Sequence, residues 1–281
     1  MHRILPALPS AVLPAFLAAL AASPAAEAAP VRLAPHRAVY DLALSDSRGT
    51  RAVESARGRI VFDFTGDDCK GWSLQYRQVT VLESGETGAK TSDLRNTTFE
   101  SGDGRSFTFR TESDLNGTKA EPVDGSAERD GEGVRIRVRR PKPETATAAG
   151  TVFFPSDHMR HLVEAARAEK TTVEVKVFDG SEDGRKVYDT LAIIGRAGES
   201  GAASKAEAPL KQGPMAEMPR WPVVLSYFQP GQGERVPVYT LAFDLYENGV
   251  SGRLRLDYND FSLKGDLSRF ELLPESTSCK P

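Results

Sequence analysis

Residues 239–258 read YTLAFDLYENGVSGRLRLDY, and this stretch decides the fold class. Apolar and polar residues alternate on both sides of Asn248-Gly249. A period of two residues is typical of a half-buried β-strand, and Asn-Gly favours a tight hairpin turn because both residues tolerate positive φ. The stretch therefore predicts two antiparallel strands joined by a short turn.

The same alternation recurs through most of the chain, with turn dipeptides between the alternating segments. Further apolar sets that share one face are Ile60, Phe62 and Phe64; Trp72, Leu74 and Tyr76; Val134, Ile136 and Val138; and Val173, Val175 and Val177. The turn dipeptides are Asp103-Gly104, Asn116-Gly117, Asp124-Gly125, Asp130-Gly131, Asp179-Gly180, Asp183-Gly184 and Asn248-Gly249. We predict an all-β, antiparallel meander of about twelve to fourteen strands.

One segment has helical rather than strand periodicity. Pro155 and Ser156 suit a helix start, with Ser156 as the capping residue. The apolar stripe at i, i+3, i+4 and i+7 is Met159, Leu162, Val163 and Ala166. We predict one amphipathic helix over about 156–169, between two curled halves at about 29–150 and 170–281.

Two stretches of the chain are expected to lie outside the core. Residues 1–28 combine Arg3, an apolar stretch and Ala26-Glu27-Ala28, which has small residues at the two positions that a signal peptidase reads. These features predict a signal peptide, with a membrane anchor as the alternative. Residues 197–219 are rich in Ala, Gly, Ser and Lys, which predicts a mobile excursion. We therefore expect an exported protein with one domain over 29–281 and no transmembrane segment after the signal.

The composition excludes some classes of function. The chain has 281 residues and a formal net charge of -3, which does not fit the strongly basic surface of a nucleic-acid-binding protein. Its 40% hydrophobic and 27% charged content is that of an ordinary folded protein.

The chain contains two cysteines, Cys69 and Cys279. An exported protein matures where thiols oxidise, so the one pairing available within the chain is expected to form a disulfide. Unpaired or intermolecular thiols are the alternative.

Candidate sites are few. His158 and His161, with Asp157, lie one helical turn apart and are interpreted as exposed residues on the flank of the helix rather than as metal ligands, because no third ligand is evident. The sequence has none of the common motifs of nucleophilic, zinc-dependent or nucleotide-dependent enzymes, and no cofactor is expected.

Two further groups have both a structural and a functional interpretation. One strand is basic on its polar face through Arg135, Arg137, Arg139 and Arg140; we expect these residues to pair with Glu128 and Asp130 on the neighbouring strand, and the alternative is an acidic partner or lipid headgroup. Around Pro222, the aromatic residues Trp221, Tyr227 and Phe228 either belong to the core or line a groove for a peptide or an acyl chain.

A series of short motifs in a fixed order resembles one known family. The motifs are Ala38-Val39-Tyr40-Asp41-Leu42, Cys69-Lys70-Gly71-Trp72, Phe154-Pro155-Ser156-Asp157-His158, Phe178-Asp179-Gly180, Val187-Tyr188-Asp189-Thr190, Trp221-Pro222-Val223, Ser226-Tyr227-Phe228, Tyr246-Glu247-Asn248-Gly249-Val250 and the terminal Cys279. Together they resemble the EipB family of periplasmic cell-envelope-integrity proteins of alphaproteobacteria. The resemblance covers nearly the whole chain after the signal.

The resemblance implies a β-spiral of about fourteen strands, a disulfide joining Cys69 to Cys279, and a periplasmic tetratricopeptide-repeat partner. It brings no catalytic residues. We expect a non-enzymatic periplasmic protein that supports envelope integrity by binding a partner protein, a peptide or a lipid on a curved sheet. The alternatives are a periplasmic carrier of lipid or lipoprotein, and an envelope hydrolase.

Overall fold

Sixteen β-strands and one α-helix form in the part of the chain that the computed structural model describes, which is residues 29–48, 53–85, 88–198, 207–231, 233 and 235–275. The strands are β1 His36–Ser47, β2 Ser55–Asp67, β3 Gly71–Ser84, β4 Gly88–Ser101, β5 Ser106–Leu115, β6 Thr118–Lys119, β7 Val123–Arg129, β8 Gly133–Arg140, β9 Glu144–Ala149, β10 Val152–Phe153, β11 Thr172–Val177, β12 Tyr188–Ile194, β13 Arg220–Phe228, β14 Tyr239–Tyr246, β15 Ser251–Asp257 and β16 Phe261–Leu272. The helix α1 is Pro155–Arg167, and two 3₁₀ turns are Ala208–Leu210 and Gly213–Met215.

All sixteen strands belong to one sheet. Its order is β10-β11-β12-β13-β14-β15-β16-β1-β2-β3-β4-β5-β7-β8-β9, with β6 paired to β5 beside this path. Every pair is antiparallel except β10 with β11, which is parallel. The predicted all-β, largely antiparallel spiral is confirmed as a large, nearly closed, barrel-like sheet, and the two predicted halves form one sheet because β1 pairs with both β2 and β16.

The hydrophobic core lies on the inner side of the curled sheet. The strand β8 shows the rule, because Val134, Ile136 and Val138 are buried and the arginines between them are exposed. The same alternation in β13 buries Trp221 and Tyr227. Strict alternation over several strands therefore supplies one apolar face, as the period of two requires.

Apolar packing joins the two ends of the sheet. Phe107 and Phe109 on β5 share a buried cluster with Phe154, which precedes α1, and with Phe178, which follows β11. The ring centroids of Phe107 and Phe154 are 5.2 Å apart, and those of Phe109 and Phe178 are 5.5 Å apart. The spiral therefore overlaps itself at this point, with side chains rather than strand pairing holding the overlap.

The helix lies against the inner face, and it is capped differently from the prediction. Leu162, Val163 and Ala166 are buried, as the apolar stripe predicts. Ser156 is not the cap: the helix begins at Pro155, and no side chain at the preceding position caps it. The carboxylate of Glu100 on β4 instead accepts the N–H of Ser156 at 2.8 Å and the N–H of Asp157 at 3.2 Å. A residue remote in sequence therefore satisfies the helix terminus, which local sequence rules do not detect.

The prediction of a mobile excursion over 197–219 is wrong for residues 207–219. Leu210 and Met215, from the two 3₁₀ turns, are each 1% exposed and pack in a core cluster with Tyr246. Glu207 fixes the start of this segment by accepting the N–H of Arg253 at 2.7 Å. A few buried side chains hold this otherwise polar segment in place, so its overall composition did not predict that it is ordered. Residues 199–206 lie outside the described residues.

The predicted signal peptide, residues 1–28, also lies outside the described residues. Within the described ranges, none of the helical segments has the length and the apolar character that a membrane crossing requires.

Candidate functional site

The inner face of the sheet carries two stacked pairs of aromatic rings. Phe64 on β2 stacks on Trp72 on β3 with centroids 4.6 Å apart. Tyr227 on β13 stacks on Tyr239 on β14 with centroids 4.4 Å apart. Each ring belongs to, or packs against, one hydrophobic cluster that also contains the buried face of α1. The sheet and the helix therefore enclose an aromatic interior.

Part of this interior remains accessible. Phe62, Phe64, Tyr76 and Tyr239 point to the same side as fully buried residues such as Ile60, yet they are only half-buried. Aromatic side chains expose large apolar surfaces when they are not covered by neighbours. We call these four residues the inner aromatic surface, because they provide the interior with apolar area that no side chain of the described chain covers completely.

A polar bridge crosses the interior beside the inner aromatic surface. The Tyr76 hydroxyl donates to Oε1 of Gln78 at 2.5 Å, and Nε2 of Gln78 lies 3.5 Å from the hydroxyl of Tyr258, just after β15. Burial raises the pKa of Tyr76, and burial together with Tyr227 raises the pKa of Tyr239 well above its usual value. Both phenols therefore stay neutral at physiological pH, so they offer hydrogen bonds and apolar rings rather than charge.

The structure divides the predicted aromatic group between the two faces of β13. Trp221 and Tyr227 lie on the inner face, where they are 6% and 8% exposed and belong to the core. Phe228 has the opposite parity, is half-buried, and lies under the guanidinium of Arg235, whose Cζ is 5.4 Å from the ring centroid. The three residues do not form one exposed groove. Their role in binding stays a prediction.

The histidine pair of α1 is arranged differently from the expectation. His158 is buried, so its prediction as an exposed flank residue is wrong, whereas His161 is half-buried against Phe153 with centroids 4.9 Å apart. Burial lowers the pKa of His158 to about 4, and its Nε2 has no hydrogen-bond partner among the described residues. Within those same residues, no group of three or more potential metal ligands comes together.

Buried carboxylates of the inner side are engaged in structural contacts. Burial raises the pKa of Glu100, and both of its carboxylate oxygens accept backbone N–H groups of α1. Burial also raises the pKa of Asp179, whose Oδ1 accepts the N–H of Ser181 at 2.9 Å. An envelope hydrolase needs an acid and a base directed at one cleft. These two groups instead organise the local backbone.

The basic strand pairs largely as expected. Arg137 contacts Glu128 at 3.1 Å and Arg135 lies 3.7 Å from Asp130, which confirms the cross-strand pairing. The sequence did not indicate that Asp124 pairs with the basic strand, yet its carboxylate contacts both Arg139 and Arg140. The predicted turn at Asp124-Gly125 is wrong, because both residues lie within β7, where Asp124 shares the polar face with Ser126 and Glu128 and pairs in register with Arg140.

A groove on the outer face was missed by the sequence analysis. It has a volume of about 610 Å³ and is lined by side chains of β13 to β16. Pro222 and Val224 form its apolar side, whereas Arg253 lies near the buried carboxylate of Asp244 with a closest separation of 3.5 Å. Asp244 interrupts an otherwise apolar run, and the ordinary alternation of β14 places it on the outer face, opposite Pro222 of β13. That interruption was the only signal in the sequence.

The predicted disulfide involves one described residue and one that is not described. Cys69 lies in the turn between β2 and β3, where its N–H donates to Oδ1 of Asp67 at 3.0 Å. Among the described residues there is no free cysteine. Cys279 lies outside them, so its pairing with Cys69 stays a prediction.

Comparison with known proteins identifies the family. A family model described as EipB-like matches residues 27–274. The chain is 32% identical over 252 residues to a protein of Brucella abortus named cell envelope integrity protein EipB, covering 89% of this chain and 88% of the relative. A crystal structure from the same organism, titled a beta-barrel-like protein of the domain of unknown function DUF1849, superimposes with a TM-score of 0.79 at 31% identity and covers 87% of this chain and 100% of that one. The chain belongs to the EipB-like family.

Proposed function

We propose that this protein supports the integrity of the cell envelope as a non-enzymatic binding protein of the periplasm. Its membership of the EipB-like family and the name of the Brucella relative support the role in the envelope. The binding activity is inferred from the inner aromatic surface, where four rings of the core side remain half-buried. A role in the envelope that does not depend on catalysis needs a recognition surface, and half-buried aromatic rings on the inner face suit an apolar ligand.

The ligand class follows from the chemistry of this surface. Phe62, Phe64, Tyr76 and Tyr239 provide apolar area, and the polar bridge through Gln78 provides a few hydrogen-bonding groups at one side. A site of this kind binds a molecule with an apolar body and a small polar part. The apolar side chains of a peptide and the acyl chain of a lipid both have this character.

A matched pair of variants tests the role of the inner face. Phe62 and Val61 are neighbours on β2 that point to opposite faces, and Val61 is 42% exposed on the outside. Binding of a fluorescent fatty acid to the purified protein should weaken about tenfold or more in Phe62→Ser, because a large part of the apolar contact is lost. Val61→Ser should bind within about twofold of the parent protein. Equal binding by both variants would remove the inner face from the proposal.

A second measurement connects binding to the envelope. A strain that lacks the protein should become sensitive to detergent, and the gene for Val61→Ser should restore resistance. The gene for Phe62→Ser should not restore resistance, even when immunoblots show that the two variants are equally abundant. Full rescue by Phe62→Ser would show that the envelope role does not use the inner aromatic surface.

A carrier of lipid or lipoprotein is the second candidate, and the apolar chemistry of the interior favours it. A carrier has to hold its cargo during transfer, so native mass spectrometry of protein taken from the periplasm should show co-purifying acyl chains. Protein that is free of acyl chains, but that cross-links to a periplasmic protein in cells, would favour the scaffold instead. The same cross-linking experiment tests the expected tetratricopeptide-repeat partner.

A further inference from the structure

The strand β9 is the last strand of the sheet and pairs on one side only, with β8. The N–H of Gly150 donates to the carbonyl of Glu132 at 3.0 Å, which fixes the phase of this antiparallel ladder. Alternate residues of such a ladder bond to the neighbouring strand. The backbone N–H and C=O groups of the even-numbered residues of β9 therefore form hydrogen bonds with β8. Those of Thr145, Thr147 and Ala149 point away from β8, towards the free edge.

A side-chain contact agrees with this phase. Nζ of Lys176 on β11 donates to the carbonyl of Ala149 at 3.0 Å, so the backbone of Ala149 does face away from β8. At the other end of β9, the carboxylate of Glu144 pairs with Arg185. Between these two contacts, the outward N–H and C=O groups of Thr145 and Thr147 have no hydrogen-bond partner among the described residues.

This edge lacks the usual protection against pairing with another chain. Native edge strands are blocked by charged residues, prolines or bulges within the strand. From residue 145 to residue 149, β9 contains only threonine and alanine, and its register with β8 is regular. Thr145 and Thr147 are exposed. The edge is therefore chemically able to accept a further strand.

The inward side of β9 is apolar and carries only small side chains. Ala146 and Ala148 point inward and pack against the aromatic cluster at the overlap of the spiral. An added strand would place its inward residues beside these two methyl groups, where apolar side chains of larger size gain contact with the cluster.

The outer face of the sheet next to this edge is basic. Arg137 lies directly opposite Thr145 in the register, and Arg135 lies directly opposite Thr147. A strand added to β9 would lie about 10 Å from β8, which is within reach of an arginine side chain. The four arginines of β8 share three carboxylates, those of Glu128, Asp130 and Asp124, and no acidic residue of β9 follows Glu144. Acidic side chains on the outer face of the added strand would therefore find arginines with which to form ion pairs.

We propose that the free edge of β9 binds an extended segment of a partner protein in which acidic residues alternate with apolar ones. The backbone of Thr145 and Thr147 forms the hydrogen bonds, Ala146 and Ala148 receive the apolar side chains, and the arginines of β8 attract the acidic ones. This surface is separate from the inner aromatic surface, so either proposal stands without the other.

A synthetic peptide tests the proposal directly. The probe is a fluorescein-labelled, end-capped heptapeptide of alternating glutamate and valine, and its control replaces every glutamate with lysine. Fluorescence anisotropy with the full mature protein should show saturable binding of the acidic peptide and at least tenfold weaker binding of the basic one. Hydrogen exchange should slow at the amides of Thr145 and Thr147. Absence of saturable binding, or equal binding of both peptides, would overturn the proposal.

Two variants locate the bound peptide. Thr147→Pro removes the outward N–H without breaking a bond to β8 and should weaken binding about tenfold, whereas Thr147→Val keeps the N–H and should bind within about twofold of the parent. Unchanged binding by Thr147→Pro would show that the peptide binds elsewhere. If that variant fails to fold, the double variant Arg135→Glu/Arg137→Glu decides: it should reverse the preference between the two peptides, and an unchanged preference would contradict the proposal.

Discussion

Gly180 shows how closely the two ends of the spiral pack at the level of single atoms. It has a φ of +70°, and a Cβ atom at this position would lie 2.4 Å from Cγ of Phe109. The ring belongs to the buried cluster and has no space to move away. Glycine is therefore required here for its missing side chain as well as for its backbone conformation.

We predict that Gly180→Ala lowers the free energy of unfolding by about 2–4 kcal/mol, since it combines steric overlap with a strained φ. Gly117→Ala is the matched control, because Gly117 has a φ of +80° and nothing lies within 4 Å of the added Cβ. The control should lose only about 1 kcal/mol. Urea denaturation of both variants measures the difference, and equal losses would show that the contact with Phe109 is not restrictive.

At the scale of elements, the helix α1 depends on groups contributed from elsewhere in the sequence. Glu100 on β4 receives two N–H groups at its start, and Glu247 after β14 contacts Arg167 in its last turn at 2.9 Å. A strand and a turn from distant parts of the sheet therefore hold the two ends of the helix. His158 is buried on the helix between the residues that make these two contacts.

We predict that acidification weakens the protein through His158. Burial lowers its pKa from 6.5 to about 4 in the folded state, despite the nearby Asp157, so between these pH values the unfolded chain binds the proton more readily. The stability from neutral His158 is fully present above about pH 6.5 and is lost as the pH falls towards 4, by up to about 3 kcal/mol. Burial also lowers the pKa of His36, which adds to the loss, whereas the raised pKa of Glu100 opposes it.

The measurement compares the parent protein with His158→Gln by urea denaturation at pH 7 and pH 4.5. The variant should lose less stability between the two pH values, since it has no imidazole to protonate. His161→Gln, at the half-buried position one turn away, is the control and should lose nearly as much stability as the parent, because burial is the main cause of the lowered pKa of His158 and the charge of His161 a smaller one. A parallel loss in His158→Gln and the parent would show that other groups cause the acid sensitivity.

The elements also show what the sequence could predict. Strands such as β8, β13 and β14 follow from alternation, and the buried stripe of α1 follows from its period. Contacts between distant residues were not predictable: the cap from Glu100, the burial of His158, and the anchoring of 207–219 by Leu210 and Met215 all depend on which elements meet. The same limit applies to the site, because alternation separates Phe228 from Trp221 and Tyr227, but only the packing of other elements shows that Trp221 and Tyr227 are covered.

At the scale of the whole molecule, the predicted disulfide would join the turn after β2 to a residue near the end of the chain. We predict that Cys69→Ser lowers the free energy of unfolding by up to about 5 kcal/mol, because a cross-link across so long a loop restricts the unfolded chain. Thermal unfolding with and without reductant measures the effect, and Ellman titration of the denatured, unreduced protein should detect no thiol. An unchanged melting temperature, or two titratable thiols, would contradict the pairing.

The pairing of β1 with β16 has a consequence for how the protein is made. The first strand, β1, has its second neighbour only when nearly the entire polypeptide has been made, so the sheet stays incomplete throughout synthesis. A fold completed so late is slow to form, and in the exported protein that we propose this would favour crossing the membrane unfolded and folding only on the far side.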